Sequence, residues 1–490
     1  MKNWRIHSIP ALGLLLYFLL WKALCSWLGY MLDSDAVAYL TVAERVGRGE
    51  YIQSINGLWS PLNSWLLLLF SHENMNFFYR AQLWNLLIGG ILLIQTWMLM
   101  RLFQVKWLVA VMHQFALSVV MVYLVYYQVF ADLLQCVFLM SYLLYWQFRA
   151  YKNTVPDAVF IGLIIGFGFY AKAYTWVFFV LHFALMQFYL CFQKKQTFKQ
   201  GLVRYILAVV TSVSVMLPWI IALHQKYGVW TITGLAGKLN MSWYINSGKT
   251  FKPDIKLLIP PAHANSPSFW EDPYLSQSIL TGPFTNLDAF IHWVIRVFHT
   301  TLSAIGCYSE LSFLALVCIF WSIYYFLLNS KHRMFFQGER SLLFALLVLP
   351  LGYLAMHIET RYLWLSLFLL PVLFNQFYVQ LKVQLKYFVL VIWVFSFLVF
   401  PVLQIESLRE KNKDLFYAAS DLRHAGFQSV KFTSTVPDEG RMWVLAYLTK
   451  SQCYTIEANT FQVNELEQEM QRYQVPYVIM EKSACIDGFI

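Results

Sequence analysis

Charge is scarce in this chain. Only 13% of its 490 residues are Asp, Glu, Lys or Arg, against 59% hydrophobic and 18% aromatic residues. A soluble protein of this length needs about a quarter of its residues charged to cover its surface, so that class is excluded. Several chemical signatures are missing as well. There is no P-loop, no glycine-rich dinucleotide motif, no Cys/His spacing of the zinc type and no Ser-His-Asp arrangement. The chain therefore has no evident machinery for a nucleotide, and an enzyme built on it would draw an activated donor from elsewhere. Internal repeats and low-complexity stretches are absent too.

Cysteines number seven. Cys25, Cys136, Cys191 and Cys318 fall in apolar runs and read as small core hydrophobes, while Cys307 lies near a membrane face. Cys453 and Cys485 lie in the polar tail, where an oxidising compartment would allow a disulfide that spacing alone does not decide.

What the chain has in quantity is long apolar runs. About 20 apolar residues span the hydrocarbon core as a helix. Runs of that kind fall at roughly 9–32, 80–103, 107–127, 130–148, 156–171, 173–192, 202–224, 309–328, 341–357, 362–379 and 386–404. They predict a mainly α polytopic membrane protein of about eleven transmembrane helices. Gly162, Gly166, Gly168 and then Lys172 favour two short helices over one long one across 156–192, because a mid-membrane charge is costly. The first run is too long for a cleaved signal peptide and ends on Asp33-Ser34-Asp35, so it reads as a retained anchor.

Lys and Arg fix the expected orientation. With the N-terminus cytoplasmic, the inside segments hold Lys2, Arg5, Arg101, Lys106, Arg149, Lys152, Lys194, Lys195, Lys199, Arg204, Lys331, Arg333, Arg340, Lys382 and Lys386, with Asp157 and Glu339 as their acids. The formal net charge of +10 is mostly this bias and does not argue for nucleic acid. Residues 1–404 then form the membrane body, with outside excursions at 33–79 and 225–300. Residues 405–490 form an extracytoplasmic segment in which helix and strand alternate, the pattern of a small α/β domain. A bacterial inner membrane is the expected setting, with the C-terminus periplasmic.

The first excursion opens with an amphipathic stretch, Ala36 to Ile55, suited to lying on the membrane surface. Pro61 starts a second short interfacial helix. The second excursion reads as a long irregular loop rich in Pro, Gly and Trp.

The remaining charges cluster at one membrane face. Asp33 and Asp35, spaced i, i+2, can reach one hard cation such as Mg²⁺ or Mn²⁺, or one of them can act as a general base; the competing reading is a helix cap before Ala36. Asp132 opens an apolar run on the same face, with a cap as its competing reading. Lys172 can hold a phosphate as a point charge or simply snorkel. His357-Ile358-Glu359-Thr360-Arg361-Tyr362 is a further polar cluster, whose Arg361 can grip phosphate bidentately or pair internally with Glu359. Tyr39, Trp59, Trp270, Glu271 and Asp272 are candidate acceptor or loop contacts in the two excursions.

Taken in order and sidedness, these parts resemble the C-type (GT-C) membrane glycosyltransferases, nearest to the protein O-mannosyltransferases and the lipid A aminoarabinose transferases. The resemblance rests on Asp35-x-x-x-Tyr39 after the first span, on Asn56-Gly57 and Ser60-Pro61-Leu62 closing the first excursion, and on Asp132. Lys172 in a glycine-rich span and Arg361-Tyr362 before a late span add to it. It implies a polyprenyl-phosphate sugar donor, a lipid, glycan or protein acceptor, transfer with inversion, and Asp35 as base. Catalytic roles would fall to Asp33, Asp35 and Asp132, and donor phosphate binding to Lys172, Arg361 and Tyr362. The Asp33–Asp35 pair looks like the Asp-x-Asp metal site of oligosaccharyltransferases, which leaves a divalent cation open. Ser60-Pro61 stands where relatives acting on lipid A carry Lys-Pro, so that acceptor is not implied. The competing classes are a lipid-linked glycan ligase or polymerase, a transporter or flippase, and an assembly protein without catalysis. The first is disfavoured by a loop with a single arginine, Arg296, and the second by the lack of two related halves.

Overall fold

The computed structural model describes residues 4–70, 77–127, 131–149, 154–245, 251–277, 282–328, 337–409, 411–457 and 461–480. Cys485 lies outside them.

Helix α1 spans Trp4–Leu28. The first excursion folds into α2 (Ser34–Gly47), α3 (Tyr51–Ser54) and α4 (Pro61–Leu67). The bundle continues with α5 (Phe77–Leu102), α6 (Trp107–Tyr127), α7 (Asp132–Arg149), α8 (Val155–Ala171), α9 (Tyr174–Phe192) and α10 (Phe198–Tyr227). The second excursion holds α11 (Ala236–Ile245) and a two-residue strand, β1 (Leu258–Ile259). Then come α12 (Leu287–Leu311), α13 (Ala315–Leu328), α14 (Gln337–Val348), α15 (Leu351–Leu354), α16 (Leu365–Gln380) and α17 (Val383–Leu408). The tail alternates α18 (Lys413–His424), β2 (Lys431–Ser434), α19 (Glu439–Leu448), β3 (Gln452–Ile456), α20 (Val463–Tyr473) and β4 (Tyr477–Ile479).

Helices occupy the apolar runs read from the sequence, but not all are built alike. Among the described residues, six helices are long and apolar enough to cross a membrane, and a seventh span arises if α12 and α13 are counted together. Helices α8 and α16 are apolar but shorter, and the run at 341–357 stops at Val348 and resumes as the single turn α15. The span expected at 309–328 is broken at Ser312, where α12 and α13 meet at 107°. The last stretch of the expected loop 225–300 is helical, because α12 begins at Leu287. Its exposed residues Phe290, Ile291, Val294, Ile295 and Phe298 make a face fit for lipid, so its apolar side points outward.

Helix α2 departs from the surface-lying helix the sequence suggests. Residues Ala36 to Ala43 are all buried. Its Leu40 and Ala43 join one apolar core with Phe269 of the second excursion and with Phe432 and Trp443 of the tail. Tyr447 of α19 also donates to Glu44 at 2.9 Å. The tail sheet runs in the order β1-β3-β2-β4, with β2 parallel to β3 and to β4 and β1 antiparallel to β3. One of its strands therefore comes from the second excursion, and the tail is keyed into the layer above the bundle.

Two glycines let α8 and α10 touch. A Cβ at Gly162 would lie 2.6 Å from the Ala208 carbonyl oxygen and 2.7 Å from Thr211 Cβ, and one at Gly166 would lie 2.6 Å from Val215 Cβ. Small residues four apart allow such close approach in membranes, where packing carries helix association. Gly162→Val is expected to force the helices apart at a cost of about 2 kcal/mol. A thermal melt in detergent should show a lowered midpoint, and an unchanged one would contradict this contact.

Candidate active site

The charges picked out along the sequence meet at one end of the bundle. Asp35 lies in the first turn of α2, Asp132 opens α7, Lys172 sits in the break between α8 and α9, and Arg361 lies in a 3₁₀ turn, Thr360–Leu363, before α16. They line a cavity of about 930 Å³. The aromatic rings of Tyr39, Trp59, Trp219, Trp243, Tyr244 and Trp270 line it as well. Wide apolar faces with polar tips suit a ring-shaped polyol ligand, which presents both CH surfaces and hydroxyls.

Asp35 has two partners. Trp270 donates its indole N–H to Asp35 Oδ1 at 2.8 Å. Arg361 donates from both terminal nitrogens to Oδ2, each at 3.2 Å. Arg361 also reaches Glu359 from Nε at 2.8 Å, and Glu359 accepts from Tyr362 at 3.2 Å and pairs with His357 at 3.1 Å. Burial opposes ionisation of Glu359, but the His357 hydrogen bond and the Arg361 charge outweigh it and pull its carboxyl down to about 2. Glu359 therefore stays charged and holds Arg361 in place.

Lys172 forms an ion pair with Asp132 and stands 4.1 Å above the Tyr362 ring, a cation–π contact. Tyr362 is stacked on Tyr353 at 4.3 Å. Asp132 thus orients a lysine, a use its position in sequence did not reveal.

Three expected site residues are used elsewhere. Asp33 does not line the cavity; its Oδ1 accepts from the Ala36 N–H at 2.8 Å and caps α2. Glu271 and Asp272 are buried struts and line no part of the cavity. Glu271 pairs with the buried Arg45 of α2, and Asp272 pairs with Lys226 at 2.8 Å and accepts from Tyr227 at 2.7 Å. These pairs clamp the second excursion to α2 and to the end of α10. Trp59 packs edge-on against Trp270 at 6.2 Å and tilted against Tyr39 at 5.3 Å. Trp243, Tyr353 and Glu359 complete the site. Glu359 had a sequence signal in its polar cluster, whereas the two aromatics had none.

The paired carboxylates do not fit a hard dication. Such an ion wants six or more oxygens, yet one Asp33 oxygen is spent on the helix cap and Asp35 already faces a guanidinium. Among the described residues no three His, Cys, Asp or Glu side chains come together as a ligand set.

Burial pushes the Asp33 carboxyl up to about 7, with Asp35 adding to the rise and the Ala36 N–H and Arg361 opposing it. A carboxyl raised on folding stabilises the fold while protonated, and that contribution fades as pH climbs from 3.8 to about 7. Asp33→Asn keeps an N-cap acceptor and removes the titration. Its melting midpoint relative to wild type should rise between pH 4 and pH 7. A constant difference over that range would refute the shift.

No family model matches the chain, and no curated protein matches its sequence. Among solved structures it is similar to the Archaeoglobus fulgidus oligosaccharyltransferase, crystallised in complex with zinc and sulfate. The TM-score is 0.54 at 10% sequence identity, and the match covers 93% of this chain. The chain spans only 62% of that enzyme's length. The likeness is one of fold alone, between that enzyme and this integral-membrane helical protein.

Proposed function

We propose that the chain is a membrane glycosyltransferase that moves a sugar from a polyprenyl-phosphate donor to a hydroxyl of a lipid, glycan or protein acceptor on the extracytoplasmic face. One observation carries this reading. A carboxylate, Asp35, and two cations, Lys172 and Arg361, line one aromatic cavity at the end of an apolar bundle. The fold shared with an oligosaccharyltransferase supports it.

In this mechanism the donor's lipid tail lies among the helices and its phosphate meets Lys172 and Arg361. The acceptor hydroxyl gives its proton to an Asp35 oxygen and attacks the anomeric carbon. The bond from that carbon to the phosphate oxygen breaks with inversion, and polyprenyl phosphate leaves as an anion. Two fixed cations stabilise the charge that grows on the leaving phosphate, in a site already shaped for it. Glu359 and Asp132 keep those cations aimed, and the aromatic rings hold the sugar.

The test uses purified protein in lipid vesicles with a labelled polyprenyl-phosphate sugar. Glycosylated acceptor and free polyprenyl phosphate should appear in step. Transfer from a nucleotide sugar without any lipid-linked donor would contradict the proposal.

A further inference from the structure

Trp270 reaches Asp35 from residues 251–277, a segment whose regular structure is one two-residue strand and two short 3₁₀ turns. Besides the Glu271 and Asp272 pairs to α2 and α10, the segment is anchored to the tail. β1 pairs with β3, and the Pro267 carbonyl accepts from the Cys453 N–H at 2.8 Å. The Trp270 ring stacks on Trp443 of α19, with centroids 5.4 Å apart and planes within 19°. Trp443 is itself fixed by its N–H to Thr455 Oγ1 at 2.9 Å. Trp243 also stacks on Trp270, at 5.3 Å and 19°. The indole is held between stacking partners, and its N–H donates to Asp35 Oδ1. Among the described residues, none from the tail lines the cavity.

We infer that Trp443 is a positioning residue for Asp35, acting through the stacked indole of Trp270. The inference rests on the reading of Asp35 as the base. It gives the tail a task, since α19 carries one side of the stack that orients the carboxylate. An N–H bond to a carboxylate is charge-assisted, so its alignment sets the rotamer of Asp35. Truncating Trp443 opens one face of Trp270 and lets that N–H swing away.

The experiment uses the full chain labelled with 5-fluorotryptophan, with Trp270→Phe identifying the Trp270 fluorine signal. In wild type Asp35→Asn should move that signal, because the N–H loses its charged partner. With Trp443→Ala present the same Asp35→Asn substitution should move it much less, and Trp443→Phe, which keeps a stacking ring, should restore the response. Thr455→Val, which frees the Trp443 N–H, should give a smaller loss of that response and serves if Trp443→Ala fails to fold. In transfer assays Trp443→Ala should lower kcat about 10-fold with the donor KM nearly unchanged, as expected of a misaligned base. An undiminished response to Asp35→Asn in both Trp443→Ala and Thr455→Val, or a Trp443→Phe no better than Trp443→Ala, would overturn the inference. If wild type transfers no sugar, the proposed function fails on its own, while the fluorine response still decides how Asp35 is held.

Discussion

Asp35→Asn is expected to reduce sugar transfer on the order of 10³-fold while the protein still accumulates in the membrane. Among the described residues three carboxylates line the cavity: Asp35, Asp132 and Glu359. Asp132 is 4% exposed and tied to Lys172, and Glu359 answers to Arg361, His357 and Tyr362. Asp35 is the one that would be freed on one oxygen when substrates arrive, because a donor phosphate competes for Arg361 while Trp270 stays. Asparagine keeps the size and still accepts from the Trp270 N–H, but it cannot take the acceptor proton. Asp132→Asn offers the contrast. It weakens the hold on Lys172, so it should act mainly through the donor KM. Equal damage from both substitutions, in the same kinetic parameter, would mean that the roles are wrongly divided.

Arg361→Ala is expected to lower kcat/KM for the donor by about 10²- to 10³-fold. The guanidinium is 12% exposed and bridges Asp35 and Glu359. It is held ready by two carboxylates, so it need not be ordered when the phosphate arrives. The substitution removes the fork that would grip phosphate and leaves two acids facing each other across the gap. Arg361→Lys keeps the charge and loses the fork, so it should recover part of the loss and no more. Activity within about 3-fold of wild type in Arg361→Ala would place the leaving phosphate elsewhere.

The sequence made the charged half of this site legible. Asp35, Asp132, Lys172 and Arg361 each interrupt or border an apolar run, and in a chain so poor in charge such residues stand out. The helix and strand alternation over 413–479 was equally plain, because its apolar positions follow short, clean periods. What stayed hidden are contacts between distant residues. Trp270 and Asp35 are 235 residues apart, and nothing local marks Trp443 as the ring behind that indole. Glu271 and Asp272 look like exposed loop acids by composition, yet Arg45 and Lys226 bury them. Helix α12 was hard to see because Asp288, His292, Arg296 and His299 break its hydropathy, although its outer face is apolar. The α2 stretch misled for the opposite reason. Its polar residues read as solvent-exposed, but Glu44 accepts from Tyr447 of the tail and Arg45 pairs with Glu271 of the second excursion.

The most direct measurement is transfer of radiolabel from a panel of polyprenyl-phosphate sugars in membranes carrying wild type or Asp35→Asn, with and without EDTA. The account predicts label moving into acceptor from at least one donor with wild type, none with Asp35→Asn, and no effect of EDTA. Transfer that survives Asp35→Asn, or no transfer from any donor, would contradict it.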